Sequence, residues 1–518
     1  MSTEKPNIVL IMCDQMAARA VGCYGMEPAI TPNIDRLAES GVRFTNFFCN
    51  SPICCASRAS MFSGQHVSEV GVYDNGAEFR ADTPTYLHGL TSSGYSNYLS
   101  GKAHFVGPDQ LHGFDTRLTR GIYPPSFIWT PNWLEPVAKN EGSNIAQIKD
   151  SGSCRWSLQL DYDAEVLHRG LECLRSEARR QDSVETASPF FLNISFTHPH
   201  DPFFMPEEYL ERVDEKLVSP PRGDWGDAAG HPYNQWINRH HGHDEIQLSK
   251  QEILRARRAY LAACAYIDDC VGAIVNEITR LGLSENTLVI FTADHGEMMG
   301  EHGMWFKRTF FDEAVRIPFV ASWPGTIPPG RSEHSSASLV DLFPTFCEIA
   351  EVDSSFVAAC ELRGLSLTNL MTNREDRSPR YAIIEYLGEG TTEPLRAIVG
   401  DGLKLVEIRT QPSILFDLQT DPFETKNMIA DEAYQERRGK LQNKLMENWD
   451  AGMVKRDVIR SQSRRRVIID AMYSTHIPKW SYIDTERDYE AVVKGNAQLE
   501  SQQLRFPRRR TTEMILKE

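Results

Sequence analysis

The sequence Asn7-Ile8-Val9-Leu10-Ile11-Met12-Cys13 is a continuous apolar run that ends in the polar pair Asp14-Gln15. Apolar residues at every position, rather than at alternate ones, are typical of a strand buried on both faces of a parallel sheet. Later stretches repeat this design, each a strand-like run that ends in a polar cluster: 95–100 before Gly101-Lys102-Ala103-His104, 190–196 before Thr197-His198-Pro199-His200-Asp201, and 288–292 before Ala293-Asp294-His295-Gly296-Glu297.

Helical patterns, such as that of residues 251–281, separate these apolar runs. Alternating strands and helices predict an α/β fold, with a mainly parallel sheet sandwiched by helices. In such sheets ligands bind at the carboxyl ends of the strands. We therefore expect the polar clusters to converge on one crevice.

From about Arg380 the pattern changes to short strands separated by tight turns, at 381–386, 395–399, 404–408 and 413–417. These strands predict a smaller antiparallel sheet, followed by a helix near 431–449. We divide the chain into a catalytic α/β domain at 1–378, the antiparallel sheet plus helix at 379–450, and an extended C-terminal tail at 451–518. The tail is partly basic, and we expect it to pack on a neighbouring subunit in a dimer or tetramer. A solvated end is the alternative for its last ten residues.

The composition is that of an ordinary globular protein, with 518 residues of which 41% are hydrophobic and 24% are charged. A formal net charge of −16 argues against a nucleic-acid partner, because phosphates need a basic face. No secretory signal and no apolar run long enough to span a membrane is visible. The eleven cysteines are odd in number and scattered, which favours a reducing, cytoplasmic location.

Asp14 and Asp294 each follow an apolar run and offer hard oxygen ligands. His295 adds a nitrogen ligand, and Gln15 adds a neutral oxygen. Carboxylate and amide oxygens suit Ca²⁺ or Mg²⁺, while an imidazole shifts the preference toward Mn²⁺ or another transition metal. For Asp14 alone, a helix cap after a strand is the simpler interpretation.

Arg58, Lys102, His104 and Lys307 can supply positive charge to an oxyanion substrate. An arginine binds a sulfate or phosphate with two hydrogen bonds, and a lysine acts as a point charge. Each of them singly could be an ordinary surface residue. Of the two histidines in the 197–201 cluster, one can act as a general acid and the other is expected to be structural.

The pentapeptide Cys54-Cys55-Ala56-Ser57-Arg58 resembles the maturation signature of type I sulfatases, in which Cys-x-Pro/Ala-x-Arg directs oxidation of the cysteine to formylglycine. Longer segments are similar to choline sulfatases, within the sulfatase branch of the alkaline phosphatase superfamily: Asp14-Gln15-Met16, Ser100-Gly101-Lys102-Ala103-His104, Thr197-His198-Pro199-His200-Asp201-Pro202 and Gly300-Glu301-His302-Gly303-Met304-Trp305-Phe306-Lys307. The resemblance implies that a formylglycine-generating or sulfatase-maturating enzyme converts Cys54 to 3-oxoalanine. Cys55 lacks the required register.

The resemblance also implies a divalent metal, Ca²⁺ in the first place with Mn²⁺ or Mg²⁺ as alternatives. Its ligands are expected to be Asp14, formylglycine at position 54, Asp294 and His295. Arg58 would favour ionisation of the hydrated aldehyde, which attacks sulfur, while Lys102 and Lys307 would stabilise charge on the sulfuryl oxygens. His200 would protonate the leaving alkoxide, and His104 would deprotonate the second hydroxyl to release sulfate.

Asn75, Trp129 and Glu385 match positions that choline sulfatases use to bind the substrate. Aromatic faces and a carboxylate are the physical answer to a quaternary ammonium. On their own, Asn75 could be a turn residue, Trp129 a core aromatic and Glu385 a solvated acid at a strand end. The chain departs from choline sulfatases where it has Ser143 in place of a histidine and Ser481 in place of a tail aspartate.

These residues predict a sulfuric ester hydrolase acting on choline sulfate or a similar small alkyl sulfate. One alternative is a promiscuous phosphonate monoester or phosphodiester hydrolase that uses the same site. Another is a binding protein in which Cys54 stays unmodified, although the complete set of site residues argues against it.

Overall fold

The computed structural model describes residues 5–135, 137–140, 142–183, 188–223, 226 and 230–474. Its strands are β1 (Asn7–Asp14), β2 (Val42–Phe44), β3 (Phe47–Phe48), β4 (Ser96–Gly101), β5 (Thr116–Arg117), β6 (Gly152–Ser153), β7 (Phe190–Pro199), β8 (Phe204–Met205), β9 (Thr287–Ala293), β10 (Phe319–Ser322), β11 (Arg331–Glu333), β12 (Ala337–Ser338), β13 (Ala382–Tyr386), β14 (Leu395–Gly400), β15 (Leu403–Ile408) and β16 (Ile414–Asp417).

The α-helices are α1 (Pro32–Glu39), α2 (Cys54–Ser63), α3 (Val67–Val70), α4 (Tyr86–Ser92), α5 (Ile145–Lys149), α6 (Leu158–Ser183), α7 (Glu207–Arg212), α8 (Pro232–His240), α9 (Lys250–Arg280), α10 (Asp312–Val315), α11 (Leu342–Ile349), α12 (Ser354–Ala359), α13 (Thr368–Met371), α14 (Gln435–Leu445) and α15 (Ala451–Tyr473). The two long helices α6 and α9 coincide with strongly amphipathic stretches of sequence.

The central sheet has eight strands in the order β11-β2-β10-β9-β1-β7-β4-β5. Strand β1 lies in the middle and pairs in parallel with β7 on one side and β9 on the other. Only β10 runs antiparallel to its neighbours among the described strands of this sheet. The predicted mainly parallel α/β sheet is confirmed, and the strands that end in polar clusters are its central ones.

Different helices cover the two faces of this sheet. Side chains alternate along a strand, so Phe191 and Ile194 of β7 point to opposite faces. The ring of Phe191 packs against Tyr86 of α4 and Phe346 of α11, whereas Ile194 packs against Gly170 of α6. With both faces covered, the polar side chains can only be reached at the carboxyl ends of the strands.

The C-terminal strands β13, β14, β15 and β16 form a separate antiparallel sheet in sequential order. One face packs on α14 through a small apolar cluster that includes Leu405, Leu441 and Leu445. The predicted small antiparallel sheet and its following helix are therefore present.

Helix α15 follows this unit, and the rest of the tail at 475–518, including Ser481, lies outside the described residues. The prediction that the tail forms oligomers stays a prediction. Among the described helices, none combines the length and the apolar character that crossing a membrane requires.

Candidate active site

Cys54 is the first residue of α2, a helix whose ten residues are all buried. No side chain of the preceding Ile53 caps this helix. Instead, Asn75 Oδ1 accepts a hydrogen bond from the backbone N–H of Cys55 at 3.1 Å. The free N–H groups of a helix start favour negative charge. Residue 54 is therefore held where an anionic ester can bind.

The four predicted metal ligands lie together at the carboxyl ends of β1 and β9, with the ligand atoms of Asp14, Cys54, Asp294 and His295 within 4.8 Å of one another. His295 Nε2 is 3.2 Å from Cys54 Sγ and 3.5 Å from Asp14 Oδ1. Two buried carboxylates and an imidazole that face one point fit a divalent cation with a preference for oxygen ligands.

Gln15 takes no part in this ligand group. Its side-chain oxygen accepts a hydrogen bond from Lys307 Nζ, and its amide nitrogen donates to Asp201 at 3.2 Å. The neutral oxygen of Gln15, which the sequence suggests as a metal ligand, is instead hydrogen-bonded to Lys307.

Arg58 and Lys102 place positive charge directly behind the carboxylates. Arg58 Nε donates to Asp294 Oδ2 at 2.8 Å, and its Nη1 donates to the carbonyl of Lys102 at 2.7 Å. Lys102 Nζ donates to Asp14. Burial alone would lower the pKa of Lys102, but the charges of Asp14, Cys54 and Tyr123 together outweigh burial and raise the pKa above its ordinary value. Both cations therefore stay charged.

The Cys54 thiol itself is a neutral group in this setting. Burial, followed by the charge of Asp14, raises the pKa of Cys54 to about 11. A thiol with that pKa is protonated at neutral pH and is a weak nucleophile. The unmodified Cys54 side chain is therefore a poor nucleophile at the position where the site converges.

His200 and Lys307 form a contact pair on the other side of Cys54. His200 Nε2 is 2.6 Å from Lys307 Nζ, and His200 Nδ1 is 2.7 Å from the carbonyl of Asp201. Burial lowers the pKa of Lys307, and the nearby carboxylate of Asp201 opposes that shift in part. The second histidine of the cluster, His198, bonds to buried Asp163 at 2.7 Å, as expected for a structural residue.

His104 lies beside two aromatic rings. It stacks on Tyr123 with ring centroids 4.5 Å apart, and its ring meets the edge of Trp129 at 5.6 Å. Lys102 Nζ also lies over the Tyr123 ring, 4.4 Å from the centroid. Tyr123 and Trp129 thus form an aromatic wall directly beside His104 and Lys102.

A cavity of about 350 Å³ opens from Cys54. The predicted residues that line it are Cys54, Asn75, His104, Trp129, His200 and Lys307. Ser143 lines it as well and donates to Asp201 at 3.0 Å. The cavity therefore brings together six of the site residues that the sequence predicts.

Glu385 does not line this cavity, and its role as a substrate-binding residue stays a prediction. Its side chain is fully buried in β13, where it accepts hydrogen bonds from Ser68 and forms an ion pair with Arg396 at 3.1 Å. Arg396 is its cross-strand neighbour in β14, so the register of the small sheet satisfies this carboxylate. Two carboxylates do line the cavity, Glu135 and Glu389, and Glu389 pairs with Arg308 at 2.6 Å.

The sequence interpretation also missed several residues of the site. Asp201 belongs to the 197–201 cluster, and its sequence context indicates no role for it, although it contacts Gln15, Ser143 and Lys307. Tyr123 and Glu389 stand in loops without a local signal. Arg466 of α15 lines the cavity from the C-terminal tail, a contact that no sequence pattern indicates.

Comparisons with known proteins agree with this arrangement. Residues 6–352 match the family model described as sulfatase, and residues 300–451 match the C-terminal model of N-sulphoglucosamine sulphohydrolase. A choline-sulfatase of Rhizobium meliloti is 33% identical over 98% of this chain and 100% of its own length. An arylsulfatase of Clostridium perfringens is 29% identical over 84% of this chain and 92% of its own. Among solved structures, a phosphonate monoester hydrolase of Agrobacterium radiobacter shares the fold, with a TM-score of 0.69 and 23% identity over 86% of this chain and 95% of its own.

Proposed function

The chain belongs to the sulfatase family and is a sulfuric ester hydrolase, and from that premise we propose that it cleaves choline sulfate or a similar small alkyl sulfate to the alcohol and inorganic sulfate. The observation that carries the proposal is the convergence of Cys54, the three other predicted ligands and two lysines at one end of the cavity. The cavity volume of about 350 Å³ suits a small alcohol.

We propose that Cys54 is matured to formylglycine by a separate enzyme. Hydrated formylglycine would supply two hydroxyl groups on one carbon, one as the nucleophile and one for release of sulfate. Since Cys54 and the rest of α2 are buried, the maturing enzyme has to reach this residue before the helix packs. Asp14, Asp294, His295 and residue 54 would hold a divalent metal, which would supply charge stabilisation for the transferring group.

The side chains around these groups have separate tasks. Lys102 and Lys307 neutralise the ester oxygens from two sides, in a buried setting where a charge acts more strongly than in water. Arg58 fixes Asp294 and the backbone of Lys102. His200, paired with Lys307, holds a proton for the leaving alkoxide, and His104 faces the cavity as the base for the second half of the reaction.

The alcohol half is lined by Trp129 and Tyr123 and by the pair Arg308–Glu389. Aromatic faces support a choline-like group. Arg308 already neutralises the carboxylate of Glu389, so an uncharged alkyl group fits this part of the cavity as well as a quaternary ammonium does. Choline sulfate and dimethylbutyl sulfate, in which the quaternary ammonium is replaced by an uncharged alkyl group, are therefore the first substrates to compare.

A substrate screen tests the activity. We expect kcat/KM to be highest for an alkyl sulfate when choline sulfate, nitrophenyl sulfate and a phosphonate monoester are compared under one condition. A preference for the phosphonate monoester by orders of magnitude would replace this proposal with the alternative hydrolase.

The variant Cys54→Ser tests the nucleophile. It should abolish multiple turnover or trap a covalent adduct, because a single hydroxyl cannot release sulfate by the same route. The peptide that contains Cys54 should be lighter than its unmodified form by about 18 Da in the active enzyme, as conversion of a thiol carbon to an aldehyde requires. Cys55→Ser is the matched control and should keep both the modification and turnover. Full turnover by Cys54→Ser would rule out this mechanism.

A further inference from the structure

Helix α15 contacts the substrate cavity although almost all of it lies beyond the residues that match the family models. Arg466 lines the cavity. One turn earlier, Gln462 Oε1 accepts a hydrogen bond from the backbone N–H of Trp133 at 2.9 Å. The C-terminal extension is thus part of the wall around the alcohol half of the site.

Arg465 makes the strongest of these contacts. It is 5% exposed and binds fully buried Asp74 with both nitrogens, Nη1 to Oδ1 at 2.7 Å and Nη2 to Oδ2 at 2.7 Å. Its Nη1 also donates to Thr130 Oγ1 at 2.7 Å. A planar guanidinium in this arrangement fixes direction as well as distance. One side chain therefore joins two segments that are far apart in sequence.

Both segments carry residues that face the substrate. Asn75 follows Asp74 and is also held by its own bond to the start of α2. Trp129 precedes Thr130 and lies against His104. The two segments touch, since a Cβ on Gly76 would lie 2.5 Å from the backbone nitrogen of Thr130. The helix holds the Trp129 segment at two points, Gln462 at Trp133 and Arg465 at Thr130, and the Arg465 contact is the one next to Trp129.

We propose that Arg465 is a positioning residue that sets the place of the Trp129 wall and thereby the selectivity for the alcohol part of the ester. The inference rests on the proposed function. Asn75, residue 54 and the His200–Lys307 pair have anchors of their own. Loss of the Arg465 geometry should therefore weaken binding of an alcohol that reaches Trp129 and leave the cleavage of a minimal ester nearly intact.

The test uses Arg465→Lys in the full-length matured enzyme, with choline sulfate, dimethylbutyl sulfate and methyl sulfate as substrates. Lysine keeps the charge beside Asp74 but cannot bond Asp74 twice and Thr130 at once. We expect kcat/KM for the two larger esters to fall about tenfold through KM, as for other displaced positioning contacts. The value for methyl sulfate should change by less than about threefold.

Two further variants separate positioning from folding. Arg464→Lys changes the exposed neighbour on the same helix and should behave as the wild type on all three esters. Asp74→Asn combined with Arg465→Met removes the ion pair without leaving a buried charge, and it should reproduce the size-dependent loss. Equal losses on methyl sulfate and the larger esters, or no loss at all, would overturn the inference.

The role of Arg465 can be tested even if the proposed substrate is wrong. A wild-type enzyme that cleaves no sulfate ester but does cleave phosphonate monoesters refutes the proposed substrate, and the same comparison of a methyl with a larger ester then tests Arg465. Hydrogen exchange gives a reading without turnover. Arg465→Lys should speed exchange at residues 126–133 relative to wild type and Arg464→Lys, and unchanged exchange there would contradict the positioning role.

Discussion

At the scale of single residues, the contact between His200 and Lys307 is where we propose that the leaving alcohol obtains its proton. A backbone carbonyl only accepts hydrogen bonds, so His200 Nδ1 must donate to the carbonyl of Asp201. His200 Nε2 then faces Lys307 Nζ at 2.6 Å, where it can accept a hydrogen bond from the lysine ammonium. An alkoxide is a poor leaving group and needs this proton, whereas a nitrophenolate leaves without it.

The variant His200→Gln should therefore discriminate between substrates. We expect it to lower kcat for an alkyl sulfate by about 100-fold or more, the usual size of a general-acid contribution. Its effect on nitrophenyl sulfate should be far smaller. Steady-state kinetics on the two esters make the measurement, and equal losses on both would contradict an acid role.

His198→Gln is the matched control, since His198 lies two residues earlier in β7 and bonds to Asp163. A purely structural change should affect both esters to the same extent.

At the scale of elements, the end of β4 delivers Lys102 because Gly101 permits a close approach to β7. Gly101 has a φ of 107°, and a Cβ there would lie 2.0 Å from the carbonyl oxygen of Ser195. That carbonyl also accepts the backbone N–H of Lys102 at 2.9 Å. An added methyl group must push the strand end away and carry Lys102 with it.

Gly101→Ala is expected to lower kcat/KM by about 100-fold, because a displacement near 1 Å costs that much at a catalytic site. It should also lower the midpoint of thermal unfolding. Gly25→Ala is the matched control, since Gly25 has a similar φ of 97° with no atom within 4 Å of the added Cβ. The control should lose some stability and keep its activity. Normal activity in Gly101→Ala would show that the strand end tolerates the shift.

The elements also show what could be predicted from sequence. Strands that end in a polar cluster could be predicted, because the apolar residues that cause burial and the polar residues of the site are adjacent in the sequence. The ion pair of Glu385 could not be predicted, because its partner Arg396 is fixed by the register of the small sheet and not by any nearby motif. The contact of Arg465 with Asp74 joins residues 391 positions apart. Such a pairing depends on tertiary packing, so a local pattern carries no sign of it.

At the scale of the whole molecule, a buried lysine links the small C-terminal sheet to the central domain, beside the apolar contacts that Ile384 and Phe416 make with the main core. Lys404 of β15 is fully buried, and its Nζ donates to Asp312 at 2.6 Å, to Glu424 at 2.5 Å and to the carbonyl of Phe310 at 3.0 Å. Asp312 has a second cation in Arg316 at 3.0 Å. Glu424 pairs with Lys404, and its Oε2 accepts a hydrogen bond from the N–H of Asp312 at 2.6 Å.

Lys404→Met should therefore leave Glu424 as an uncompensated buried acid and lower the free energy of unfolding by about 3–5 kcal/mol, the usual cost of removing one partner of a buried pair. Because Lys404 links two units, we expect the loss to appear first as separate unfolding of residues 382–417 at low denaturant. Hydrogen exchange across a denaturant series measures this. Adding Glu424→Gln to Lys404→Met removes the orphaned charge while keeping an acceptor for the Asp312 N–H, and it should restore most of the stability. If the single variant is as stable as the wild type, or if both units still unfold together, then the apolar contact between the sheet and the central domain holds the molecule together without this lysine.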